Sequence, residues 1–284
     1  LSKDVYELLK LRSFNFLLAK KMLKYSFPLI IAGLAYVTNE VVDKILIKLL
    51  LPSETALEEL GIYAACYKMS IFMILFVQSY RFAAEPFFFN YQHKENSKKI
   101  YAQIMKFFII AGLFIFLIVS LNKEIIVNIF LLNKDFHEGK GVIPILLIGH
   151  LFLGVYYNLS LWYKLTNKTK FGALISLGGS VITLSLNFLL IPKMGYMGSA
   201  WATFFCYFVM AITSYILSRK YYFIPYEKIK ITVYFFVAII IYMCANYFEI
   251  KELGYNLMLI TLYLCVVFLC EKLKFKKINE NNQL

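Results

Sequence analysis

Residues 25–52, YSFPLIIAGLAYVTNEVVDKILIKLLLP, run into the acidic turn SETALEEL (53–60) and then into GIYAACYKMSIFMILFVQSYR (61–81). Both long arms are apolar enough to cross a bilayer. Yet the first carries Asn39, Glu40, Asp43, Lys44 and Lys48, and the second carries Lys68, Gln78 and Arg81. An ionisable group inside a span costs about 2.5–3.5 kcal/mol on insertion scales, so such groups face a partner or a wet cavity rather than lipid. The stretch reads as a membrane hairpin with a polar inner face. The rest of the chain reads as scaffold around it.

Composition agrees with that reading. The 284 residues are 61% hydrophobic, 18% aromatic and only 17% charged, too little charge in too many unbroken apolar runs for a soluble domain. Several runs reach the roughly 18 residues that cross the hydrocarbon core as a helix. A membrane barrel is excluded, because the segments are continuous rather than alternating. The expected fold class is all-α: a polytopic helical membrane protein with about eight transmembrane helices. They are expected at 25–50, 61–84, 104–121, 142–163, 171–191, 198–217, 231–248 and 253–270.

Alternate loops between these spans carry 21 Lys and Arg residues on one side and five on the other. Cationic loops stay cytoplasmic, so both ends are expected inside. The net charge of +13 is then an orientation signal and an attraction to anionic inner-leaflet lipid, with no nucleic-acid partner expected. Residues 1–24 read as a cytoplasmic amphipathic linker and 25–217 as a six-helix membrane lobe. Residues 218–271 read as two additional transmembrane helices, and 272–284 as a cytoplasmic tail. Because residue 1 is Leu, the chain is expected to begin within a longer protein.

The hairpin holds the candidate site. Asp43 lies eight residues before Leu51 and Lys68 lies seven after Gly61, which puts them at depths of about 12 and about 10 Å, close enough to pair across the arms. Glu40 and Lys44, like Asn39 and Asp43, are spaced i, i+4 and share a face. One reading is a structural ion pair that fixes helix register; the other is a polar lining that binds an anionic substrate or relays a proton or sodium ion. Glu40 is the better coupling candidate, since its only local partner is Lys44. Arg81 reads either as a positive-inside anchor or as a phosphate clamp at a cavity mouth, for which a guanidinium fork is suited. Pro28 reads as a first-turn proline. Tyr156 and Tyr157 read as packing or as lining for a sugar path, and Trp162, Tyr163, Tyr196 and Tyr221 as an interfacial belt.

Enzyme chemistry finds no support. His93 and His137 fall in loops, and His150 stands alone in an apolar span as a satisfied core or lining histidine. Cys66, Cys206, Cys244, Cys265 and Cys270 share no metal-binding spacing and read as buried small hydrophobes. No cofactor is expected.

Two stretches carry a resemblance. DKILIKLLLP (43–52) followed by GIYAACYK (61–68) is similar to a signature of polysaccharide-exporter flippases, the Wzx-type O-antigen and lipopolysaccharide translocases, with Asp43, Lys44, Gly61, Tyr63, Tyr67 and Lys68 in the matching positions. NFLLIPKMGYMGSAWAT (187–203) resembles a second, through Asn187, Pro192, Gly195, Gly198 and Ala200. The resemblance implies the multidrug/oligosaccharidyl-lipid/polysaccharide superfamily, whose members have two six-helix lobes around a central cavity, some with two extra helices. Spans one to six then resemble the second lobe and the last two the extra pair, with the first lobe missing from this chain. It further implies a bacterial inner-membrane protein that moves an undecaprenyl-pyrophosphate-linked oligosaccharide between leaflets, with cationic groups balancing the pyrophosphate and acidic groups coupling H+ or Na+. A drug/cation antiporter of the same superfamily and a membrane polysaccharide polymerase or ligase are the alternatives.

Overall fold

The computed structural model describes residues 15–249 and 252–281, with side chains through residue 272. Residues 1–14 of the expected linker and 282–284 of the expected tail lie outside the described residues. Helix accounts for 88% of the structure, and no strand occurs among the described residues. The chain is a polytopic helical protein built for a bilayer.

Helix α1 spans Phe16–Leu50 and starts at an Asn15 cap whose side chain accepts the Leu18 N–H at 3.0 Å. There is no break at residue 24. Pro28 therefore stands in the helix interior rather than its first turn, and its missing N–H leaves the Lys24 carbonyl without the usual partner. Leu34, Val37, Val41, Ile45 and Leu49 are exposed at helical spacing, while Asn39 and Asp43 are buried on the opposite face. This inverts the pattern of a soluble helix and suits an apolar solvent.

The return arm is two helices, α2 (Ala56–Met69) and α3 (Ile71–Tyr91), bent by 47° at Ser70. Ser70 closes the bend by donating its hydroxyl to the Tyr67 carbonyl at 2.7 Å. Glu58 and Glu59 of the acidic turn form the first turn of α2, where negative charge complements the helix dipole. Helix α4 (Ser97–Leu121) leads through short α5 (Lys123–Phe130) and a 3-10 turn (Lys134–Gly141) into α6 (Val142–Leu159), which is buried along nearly its whole length. Short α7 (Leu161–Leu165) precedes the antiparallel pair α8 (Lys170–Met194) and α9 (Tyr196–Tyr221). Last come α10 (Lys228–Tyr247) and α11 (Leu253–Asn281).

Among the described residues, six helical segments are long and apolar enough to cross a membrane, or seven counting α2 and α3 as one broken span. The remaining expected span, 25–50, lies within α1, which is not among them and carries four charged residues, Glu40, Asp43, Lys44 and Lys48, over its inner half. Helix α1 packs on α8, α8 on α9 and α9 on α6, while α3 and α4 cover the other side of α6. The turn between α8 and α9 requires Gly195, whose φ of +56° disfavours any side chain. A Cβ there would also lie 2.4 Å from Glu59 Oε2, which accepts the Tyr196 N–H at 2.9 Å and ties α9 to α2.

Helices α10 and α11 dock on α4 through a charge network. Lys106, 2% exposed, pairs with Glu271 at 2.6 Å and Glu227 at 3.3 Å, and Lys230 reaches Glu271 at 2.9 Å. Lys106 is a buried charge that the hydropathy of its helix conceals. Trp162 and Tyr163 correct the belt reading: both are buried, Trp162 donating to Ser214 at 3.1 Å. Trp162 thus seals α7 against α9, and Tyr163 lies against Gly172 of α8. Cys66 and Cys206 are buried as expected, but Cys244 and Cys265 are exposed on the outer helices.

Candidate functional site: a buried acidic knot beside a cationic cavity

Four helices converge on Glu40. Tyr67 of α2 and Tyr207 of α9 donate hydroxyls to its two carboxylate oxygens, the latter at 2.7 Å. His150 Nε2, on α6, lies 3.7 Å from Glu40 and 3.2 Å from the Tyr67 hydroxyl. His150 Nδ1 lies 2.8 Å from the Leu146 carbonyl, which can only accept, so Nδ1 carries a proton and Nε2 faces the acid. The Tyr67 hydroxyl lies within hydrogen-bond reach of both groups and bridges them. The lone core histidine is thus the partner of the acid that sequence spacing linked only to Lys44. Lys44 instead donates to the Glu40 backbone carbonyl at 3.1 Å and sits 4.1 Å from the Tyr67 ring centroid.

One turn further on, Asp43 is 1% exposed. It accepts the Tyr63 hydroxyl at 2.5 Å and the Lys44 N–H at 2.8 Å. The expected pairing of Asp43 with Lys68 is not formed: Lys68 is exposed, and no ion pair joins it to another described residue. The depths were compatible, but the azimuth was not. Tyr63 and Tyr67 are one helical turn apart and face α1, which rotates Lys68 about 100° away from that face. Further buried polar groups lie on α1, α8 and α9. Asn39 Oδ1, Thr183 Oγ1 and Thr203 Oγ1 have no hydrogen-bond partner, while Ser199 donates to Asn187 at 2.8 Å. Unpaired buried oxygens are costly, and these are contributed by α1, α8 and α9.

Beside the knot opens a cavity of about 630 Å³. Asn39 and Gly33 of α1 reach it at one side, Tyr156 and Tyr157 of α6 at another, and Arg81 and Glu85 of α3 with Lys164 of α7 form its charged part. Arg81 lies 4.7 Å from the Tyr157 ring centroid and donates from Nε to Glu85 at 3.3 Å. Lys164 Nζ donates to the same Glu85 oxygen at 2.6 Å. Tyr156 shares hydroxyl contacts with Tyr163 at 3.1 Å and Ser176 at 3.2 Å. Of the five candidate residues, the fold gathers Glu40, Asp43 and Lys44 into the knot, puts Arg81 in the cavity wall and leaves Lys68 outside. Sequence reasoning missed Lys164, Tyr207 and the placement of His150; none has a spacing relation to the hairpin that could have flagged it.

The arrangement holds bases, acids and aromatic walls, and is suited to binding and to moving a proton or cation. Among curated proteins, none matches the chain. The profile of the MatE family matches residues 25–189, more than half of the sequence, from α1 through most of α8, and so covers the knot except Tyr207 and the whole charged end of the cavity. The chain belongs to the MatE family, and with it to the transporters of the multidrug/oligosaccharidyl-lipid/polysaccharide superfamily.

Proposed function

We propose that this MatE-family transporter translocates an undecaprenyl-pyrophosphate-linked oligosaccharide, a repeat unit for surface polysaccharide such as O-antigen, across the bacterial inner membrane. The observation that carries the reading is the cavity: Arg81 and Lys164 against a single Glu85, with tyrosine faces along the wall. Cations suit the pyrophosphate and tyrosine rings suit sugar rings. Alternating access would move the head group between leaflets, with Glu40 and Asp43 coupling H+ or Na+ and both chain ends on the cytoplasmic side. The hydrogen-bonded chain Glu40–Tyr67–His150 supports a proton as the coupling ion.

The second reading is a cation-coupled drug antiporter, favoured by Glu40 as a partly buried acid one residue from the cavity-lining Asn39. Ligand charge separates the two. The protein in lipid nanodiscs should bind a polyprenyl-diphosphate oligosaccharide and ignore lipophilic cations. Saturable binding of cations alone would replace the flippase reading with the antiporter.

A further inference from the structure

The charged residues lining the cavity are Arg81, Glu85 and Lys164. A single carboxylate oxygen, Glu85 Oε1, receives both cations, at 3.3 Å from Arg81 and 2.6 Å from Lys164. The three come from different constraints. Arg81 and Glu85 are i, i+4 on α3, so their contact is built into one helix face. Lys164 comes from α7, whose position is fixed by the buried Trp162 and Tyr163 beside it. Arg81 is further held by its contact with the Tyr157 ring. The cations are therefore preorganised around one acceptor point at the cavity wall, and they leave one uncompensated positive charge there.

From this we infer that Glu85 is a built-in stand-in for the phosphate of the transported lipid, and that Lys164 is the second half of the clamp. This deepens the flippase reading and rests on it. When a diphosphate enters, its oxygens take the place of the Glu85 carboxylate between Arg81 and Lys164, and Glu85 is displaced. On release, Glu85 returns and cancels one of the clamp's two positive charges. The carboxylate thereby lowers the affinity for the anion and speeds its departure. It also excludes single-charge anions, which cannot repay the loss of two charge-assisted contacts. A guanidinium and an ammonium converging on one point match a group with several anionic oxygens, whereas a neutral head group would leave Glu85 seated.

The test measures binding of undecaprenyl diphosphate, with undecaprenol as the uncharged control, to the protein in nanodiscs. Size-exclusion elution reports on folding. Glu85→Gln, close to isosteric, is expected to tighten diphosphate binding about tenfold and slow its dissociation, because the competing charge is gone. Lys164→Ala is expected to weaken it about tenfold, with Lys164→Arg restoring most of it. Binding of undecaprenol should not change in any variant. Diphosphate binding by the wild type that Glu85→Gln leaves unchanged or weakens would overturn the stand-in role alone. Wild-type protein that binds no diphosphate would overturn the flippase reading, and this inference with it.

Discussion

Tyr207 of α9 donates its hydroxyl to Glu40 of α1 at 2.7 Å, and so joins the second arm of the α8–α9 pair to the acid in the hairpin. Hydrogen bonds to a charged group are worth about 1.5–3 kcal/mol net. Tyr207→Phe keeps the ring and removes only that bond. It should lower stability toward denaturant in detergent by about that amount and reduce transport. Unchanged stability would mean that Glu40 does not depend on this contact.

Asp43 and Lys68 should behave oppositely. Asp43→Ala leaves the buried Tyr63 hydroxyl without its acceptor, at a cost of about 1–3 kcal/mol. Lys68→Ala touches an exposed side chain and should stay within about 0.5 kcal/mol of wild type. Thermal unfolding of the two variants side by side decides it. A larger loss for Lys68→Ala would restore the cross-arm ion pair.

Gly195→Ala should cost about 1–3 kcal/mol, because a side chain must adopt a backbone conformation that only glycine tolerates. The new Cβ would also press on Glu59. Loss of the Glu59–Tyr196 contact should appear as faster amide exchange at the start of α9. Wild-type exchange there would show that the turn adapts.

Lys106 is the pin for α10 and α11. Lys106→Met leaves Glu271 and Glu227 sharing Lys230, and breaking a buried pair costs about 3–5 kcal/mol. Amide exchange should rise in α10 and α11 while α1, α6 and α8 stay protected. Adding Glu271→Gln should recover part of the loss. Uniform destabilisation of every helix would instead mean that the pair folds as one unit with the rest.

Hydropathy and the cost of charge in a bilayer made the helical class legible in the sequence, and the same cost singled out Glu40, Asp43 and Arg81. What it could not supply was direction around a helix. Lys68 stands at the right height and the wrong azimuth, while its neighbour Tyr67 makes the contact. Partners from far along the chain were equally hidden: His150, Lys164 and Tyr207 enter the site from helices whose own patterns read as apolar core or interfacial belt. Pro28 misled for a different reason. Its place in the helix depends on where the helix starts, and Asn15 caps it well before the apolar run begins. The break at Ser70 carries neither Gly nor Pro, so nothing local marked it.

The leaflet distribution of lipid-linked oligosaccharide in the host, with and without the gene, bears most directly on the transport role. Without it, complete repeat units should accumulate on the cytoplasmic face and surface polysaccharide should be lost, with recovery when the wild-type gene is restored. Units that reach the outer leaflet and are polymerised normally in the gene's absence would contradict it.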